Sequence, residues 1–145
     1  MRVREDRNVI FMNATPVANI PKNKLEEIKI SVLKNNKIDV RTYFNYPDEP
    51  APKPTRKGIW LSYKHIPPIL AAFEKYIKDP GSEFNLEFEA KDNEKIRCYV
   101  GVYKGAKIVH IRTFYLKDNE YLPGKGISFS APILPLMLEG FKNLS

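Results

Sequence analysis

Sulfur and imidazole are scarce in this chain. A single cysteine, Cys98, among 145 residues leaves no partner for an intramolecular disulfide and fits a reducing compartment. The two histidines, His65 and His110, lie far apart, and with one cysteine they offer no zinc-ligand spacing. No stretch of about 20 apolar residues exists to span a bilayer. Met1 is followed by Arg-Val-Arg-Glu-Asp-Arg rather than by an apolar run, so no signal peptide is read and a soluble, intracellular chain without a membrane partner is expected. Catalytic signatures are missing as well. Gly124-Lys125-Gly126 lacks the earlier glycine and the following Ser or Thr of a phosphate loop, and no nucleophile stands paired with a base. The loop acids Asp48-Glu49 and Asp118 with Glu120 read as solvated side chains. No catalytic residue, no metal and no cofactor is therefore expected.

Positive charge is what the chain does have. The net charge is +7 and the pI about 9.4, a balance that favours a polyanionic partner such as nucleic acid. The charge is uneven, at +6 over residues 1–79 and +1 over residues 80–145.

One motif occurs twice. Lys37-Ile-Asp-Val-Arg41-Thr-Tyr-Phe44, a proline-rich connector and Arg56-Lys57-Gly58-Ile59-Trp60-Leu61-Ser62 are matched by Lys107-Ile-Val-His-Ile-Arg112-Thr-Phe-Tyr115, a connector and Gly124-Lys125-Gly126-Ile127-Ser128-Phe129-Ser130. Downstream, seven identities run in order at a constant offset of 68, from Lys57 with Lys125 to Phe73 with Phe141. A period near 70 is too long for a solenoid and implies two copies of a small domain. A unit of about 65 residues buries too little surface to stand well alone, so the copies are expected to share a core.

Within each copy the periodicity is first 2 and then 3.6. Residues 25–33 and 37–44 alternate, with Ile28, Ile30, Ile38 and Val40 inward and Lys29, Arg41 and Tyr43 outward, which predicts an antiparallel hairpin. Val9–Met12 is a possible first strand, and residues 13–23, with Pro16 and Pro21, read as a loop or edge segment. Four prolines make residues 46–55 an extended loop, after which residues 58–61 form a short strand. Ile66, Ile69, Leu70, Phe73 and Ile77 then mark a helix face. The second copy repeats this over residues 84–89, 96–102, 107–116 and 126–129, with a helix over 131–144 so apolar that it must be buried on two sides, against its own sheet and against the other copy. The expected fold is α+β, two β-β-β-β-α repeats of antiparallel sheet. Residues 1–24 form an arm with the possible first strand, 25–79 the first repeat and 80–145 the second, divided at Asp79-Pro-Gly-Ser82. Arg2, Arg4 and Arg7 in the arm could lie along phosphates, but a frayed terminus is the simpler reading.

A sheet with a helix on one face leaves the other face to solvent. That face collects Lys29, Arg41 and Tyr43 in the first copy and Arg97, Tyr99, Tyr103, Arg112 and Phe114 in the second. Rings interleaved with cations suit single-stranded nucleic acid, because exposed bases stack on aromatics while Arg and Lys follow the phosphates. Lys37, Lys53, Arg56, Lys104 and Lys107 flank the same strands and join this binding set.

The order of strand, hairpin, strand ending in Ile-Asp-Val-Arg-Thr-Tyr-Phe, loop, then Arg-Lys-Gly-Ile-x-Leu and a terminal helix resembles the single-stranded DNA-binding domain of the transcriptional coactivator positive cofactor four. The resemblance spans roughly residues 25–78 and again 84–144; it is clearer in the first copy, because the second has Gly124 for Arg56 and a shorter connector. It implies curved sheets with helices at a central dimer interface, here built within one chain as a pseudo-dimer, so that the chain itself is monomeric. It further implies DNA contacts from Arg41, Arg112, Phe44, Tyr115, Tyr103, Lys57 and Lys125. Alternation, however, turns Tyr43 and Phe114 outward where the resemblance nominates Phe44 and Tyr115, a difference that a bulge or strong twist would reconcile. The first copy lacks an aromatic at its Leu33-Lys-Asn-Asn36 turn and is expected to lean on charge, the second on stacking.

The function so read is binding of single-stranded DNA with little sequence preference, in transcription, replication or recombination. A second reading is an adaptor that contacts RNA polymerase or replication proteins with weak DNA binding, and a third is an RNA-binding module using the same stacking physics. A duplicated chain without long tails would suit a compact viral or phage protein.

Overall fold

The computed structural model describes residues 14–144, so the Arg-rich arm and the Val9–Met12 strand lie outside the described residues. Two four-stranded antiparallel sheets are each followed by a helix, an α+β fold. The first unit contains β1 (Thr15–Pro21), β2 (Glu26–Val32), β3 (Ile38–Phe44) and β4 (Lys53–Leu61) in spatial order 1-2-3-4, a 3-10 turn at Tyr63–His65 and helix α1 (Ile66–Lys78). The second contains β5 (Asn85–Glu89), β6 (Glu94–Tyr103), β7 (Ala106–Lys117) and β8 (Glu120–Ser130) in order 5-6-7-8, a 3-10 turn at Ala131–Ile133 and helix α2 (Leu134–Lys142).

Four boundaries differ from those expected. The segment read as loop or edge is strand β1, which tolerates Pro16 and Pro21 because it lies at the sheet edge, where one row of N–H groups needs no partner. Its register slips between Pro16 and Ala18. Strand β4 starts at Lys53, inside the proline-rich stretch, and it too is an edge. Strand β8 starts at Glu120 rather than 126, because Asp118 and Asn119 both adopt positive φ, 52° and 64°, and close a two-residue hairpin with Lys117 opposite Glu120. The second helix begins as a 3-10 turn and becomes α-helical only at Leu134.

The alternating residues face inward as their period requires. Ile28, Ile30, Ile38, Val40 and Leu61 of the first sheet, and Cys98, Val109, Ile111, Ile127 and Phe129 of the second, are buried in one continuous core with both helices. Burial pushes the Cys98 thiol up to about 12, which keeps it protonated and unreactive.

The helices join the two units. Phe73 of α1 meets Phe84 at 5.5 Å, Phe141 at 6.0 Å and Phe129 at 6.4 Å between ring centres, all from the second unit. Helix α2 lies against β1 of the first sheet. Gly140 permits that approach, since a Cβ there would come 2.9 Å from Ile30 Cδ1 and 3.0 Å from Ala18 Cβ. The sheets also meet directly where β4 runs beside β8. Asp79 caps the end of α1 and opens the link between the units, its carboxylate accepting from the Gly81 N–H at 3.1 Å and from the Ser82 hydroxyl at 2.8 Å.

Candidate nucleic-acid interface

The outward faces are fixed by strand register. In the second sheet Arg97 stands opposite Arg112, Tyr99 opposite His110 and Lys95 opposite Phe114. Arg97 extends its guanidinium between the Tyr99 ring, at 5.1 Å, and the Phe114 ring, at 4.9 Å, with a hydrogen bond to Asn85 Oδ1 at 3.3 Å. Phe114 is only 8% exposed because these two residues cover it. Tyr99 stacks on His110 at 4.9 Å, and His110 Nδ1 lies 2.7 Å from the Ser128 hydroxyl. Arg112 donates to the Gly124 carbonyl at 2.7 Å and to Ser128 Oγ at 3.4 Å. No carboxylate lies within ion-pair distance of Arg97 or Arg112 among the described residues. Burial first, and then the Arg112 charge, hold the His110 pKa below its ordinary value.

The first sheet carries the same framework with a different outcome. Arg41 stands opposite Gly58 as Arg112 stands opposite Gly126. Its guanidinium reaches Asp39 Oδ1 at 3.0 Å and the Thr55 carbonyl at 2.8 Å, with Asp39 only 1% exposed. Burial raises the Asp39 carboxyl above its ordinary 3.8, against the pull of Arg41. Lys29 sits 4.9 Å over the Tyr43 ring and 3.9 Å from Glu27. The expectation that the first copy leans on charge therefore meets a sheet whose central arginine is already paired with a carboxylate.

The doubled Arg and Lys-Gly-Ile motifs now have a physical reason. The arginine of the third strand lies across the glycine of the fourth: a Cβ on Gly58 would come 2.6 Å from the Arg41 guanidinium carbon, and one on Gly126 would come 2.5 Å from the Ile111 carbonyl and 2.6 Å from Arg112 Cα. Only glycine leaves that room.

The irregularity expected at the strand ends is present, but on β4 and β8. Between Arg41 and Tyr43, and between Arg112 and Phe114, the extra residues belong to the fourth strand, while β2–β3 and β6–β7 pairing runs unbroken. Tyr43 and Phe114 thus stay on the outward face, and Phe44 and Tyr115 point the other way. Phe44 packs on Tyr46 at 4.7 Å, and Tyr115 is 41% exposed.

The remaining expected residues are dispersed. Tyr103, 64% exposed, stands at the tip of the β6–β7 hairpin with Lys104 5.3 Å over its ring. Lys107 is ion-paired with Glu83, and Lys53 lies 3.8 Å from Glu49. Lys37 donates to Ser62 Oγ at 3.2 Å, while Arg56, Lys57 and Lys125 are exposed along β4 and β8. His110, Ser128 and Asn85 belong to the arginine–aromatic cluster and were not among the expected site residues. The strand parity of β7, which sets His110 on the face of Arg112, was the signal for the first of them.

Residues 90–135 match the family model described as Transcriptional Coactivator p15 (PC4). The match runs over β6, β7 and β8 and the 3-10 turn to the first two residues of α2, so it takes in Arg97, Tyr99, Tyr103, Arg112 and Lys125. It falls in the second unit, where the resemblance in sequence had been read as the weaker one. The similarity to the PC4 model covers about a third of the chain. No curated protein matches the chain.

Proposed function

We propose that this chain binds single-stranded nucleic acid, DNA before RNA, with little sequence preference, and that it acts in transcription. The observation that carries this reading is the Arg97 guanidinium set between Tyr99 and Phe114 beside Arg112, with no carboxylate among the described residues within ion-pair distance of either arginine. Unpaired cations attract phosphates, and the exposed Tyr103 ring and the half-buried Tyr99 ring offer stacking platforms worth about 1–3 kcal/mol per base. The similarity of residues 90–135 to the coactivator model favours transcription over replication or recombination. The two units are read as copies of one ancestral domain with the division at residues 79–82, and each sheet's outward face is read as a binding surface, the second the stronger.

Anisotropy of a labelled oligo-dT of about 20 nucleotides, set against a duplex of equal length over a range of salt, tests the reading. Tighter binding of the single strand, weakening with salt, is expected. Equal or absent binding of the two overturns it and leaves a protein-contacting adaptor.

A further inference from the structure

Two grooves lie where one unit's fourth strand meets the turn between the first two strands of the other. The larger, about 740 Å³, is formed by the end of β4, its 3-10 turn and the β5–β6 turn, and its cations are Lys37, Arg41, Lys64, Lys91 and Lys125 against the carboxylates of Glu89 and Glu94. The smaller, about 410 Å³, is formed by the corresponding end of β8 with Lys22 from the β1–β2 turn, and among the described residues Lys22 is the one lysine or arginine that lines it. The alignment of the two units explains the contrast: at the offset of 71 that pairs Arg41 with Arg112, Lys37 corresponds to Ile108, and at the offset of 68 Lys64 and His65 correspond to Pro132 and Ile133.

In the larger groove Arg41 is paired with Asp39, and Lys91 lies 3.6 Å from Glu94. Lys37, Lys64 and Lys125 have no carboxylate within ion-pair distance among the described residues. His65 adds an independent observation. It is 5% exposed, its Nδ1 accepts the Ser62 N–H at 3.1 Å, and the proton of the neutral ring therefore sits on Nε2, which is buried without a hydrogen-bond partner. His65 is among the residues that line the groove, and a buried donor without a partner carries a desolvation cost that an acceptor would relieve.

We infer that the larger groove carries the phosphodiester backbone of one single strand from the first sheet to the second, and that no backbone crosses between the sheets at the smaller groove, whose Tyr103 and His110 belong to the second sheet's own face, so the chain holds one strand along a single asymmetric path. This rests on the reading that the sheet faces bind single-stranded nucleic acid. Lys64 and Lys91 bind backbone here.

The test uses the full chain with labelled oligo-dT of about 8 and about 20 nucleotides, the first long enough for one sheet and the second for the path between them. The double variant Lys64→Ala, Lys91→Ala, both residues exposed, is expected to bind the longer oligomer several-fold more weakly. Its salt slope should fall by about 1.4, from the loss of two phosphate contacts at roughly 0.7 each. Its affinity for the shorter oligomer should stay unchanged, as should both affinities of Lys22→Ala. Arginine at both positions should restore the long-oligomer affinity. Wild-type affinity and slope in the double variant, or an equal loss in Lys22→Ala, overturns the asymmetric path while leaving strand binding by the sheets intact. If the wild-type chain binds neither oligomer, the parent reading fails and the groove assignment falls with it.

Discussion

Asp39 and Arg41 form the most enclosed ion pair among the described residues, 3.0 Å apart with side chains 1% and 12% exposed, on a sheet face that is otherwise open. The second unit replaces this acid with His110 and leaves Arg112 hydrogen-bonded to uncharged oxygens alone. One framework thus supports two electrostatic states. The first sheet is internally neutralised at its centre, and the second presents net positive charge.

The two arginines should therefore respond differently to removal. Arg41→Ala leaves the Asp39 carboxylate buried without its cation and is expected to destabilise the fold by about 3 kcal/mol, since breaking a buried pair exposes the full desolvation cost of the survivor. Arg112→Ala strands no charge; it should cost less than about 1 kcal/mol of stability while weakening oligonucleotide binding markedly. Urea denaturation beside anisotropy on both variants separates the roles, and equal effects on stability would contradict the asymmetry.

Gly140 makes a second prediction about how the units are joined. A valine there must push α2 away from Ile30 and Ala18, and overpacking of this kind costs about 1–3 kcal/mol. Because the contact is with the first sheet, hydrogen exchange in Gly140→Val should speed up in β1 and β2, far away in sequence. Loss of protection confined to residues 80–144 would mean that α2 does not bind the first sheet in solution.

How much of this was visible in the sequence follows from the range of the forces involved. Alternation marks β2, β3, β6 and β7 because one face of each is buried, and the offset of 68 aligns the fourth strands and the helices. Strand β1 was hidden by Pro16 and Pro21, which are compatible with a strand only at an edge, and edge position is a tertiary fact. The early start of β8 depends on two left-handed residues, Asp118 and Asn119, a conformation those side chains tolerate but do not announce. The crossing of α2 onto β1 joins residues more than 100 positions apart, which no local pattern encodes. The site was half legible: parity placed Arg97, Tyr99, Arg112 and Phe114 on one face. It also placed Asp39 beside Arg41, two residues apart on that face, and the pairing between them was the part overlooked.

The histidines set a pH dependence. Burial holds the pKa values of both His65 and His110 below the ordinary 6.5. In the window between the depressed folded values and 6.5 the unfolded chain binds more protons, so stability rises with pH there and is lost as pH falls below about 6.5. The melting temperature should drop between pH 7.5 and pH 5.5. His65→Gln, which cannot take up the proton, should flatten part of that drop, and an unchanged pH profile in this variant would exclude His65 as a contributor.

The stacking surface can be located by two tyrosines on opposite sides of the second sheet. Tyr103 continues the outward row of Arg97, Tyr99 and Gly101 at the tip of the β6–β7 hairpin, whereas Tyr115 is one residue out of phase with Phe114 and Arg112. Both rings are substantially exposed, so alanine at either position should alter stability by less than about 0.5 kcal/mol. If the strand lies on the outward face, Tyr103→Ala should weaken oligo-dT binding by about 1–3 kcal/mol, one stacked base, and Tyr115→Ala by far less. Phe114→Ala is the informative third variant. Its ring is buried beneath Arg97, so it should lose about 3 kcal/mol of stability as a core truncation and weaken binding only by releasing Arg97 from its place. The opposite ranking, with Tyr115→Ala the most damaging to binding, would put the bases around the end of β7 on its helix-side face and move the strand path off the arginine–aromatic cluster.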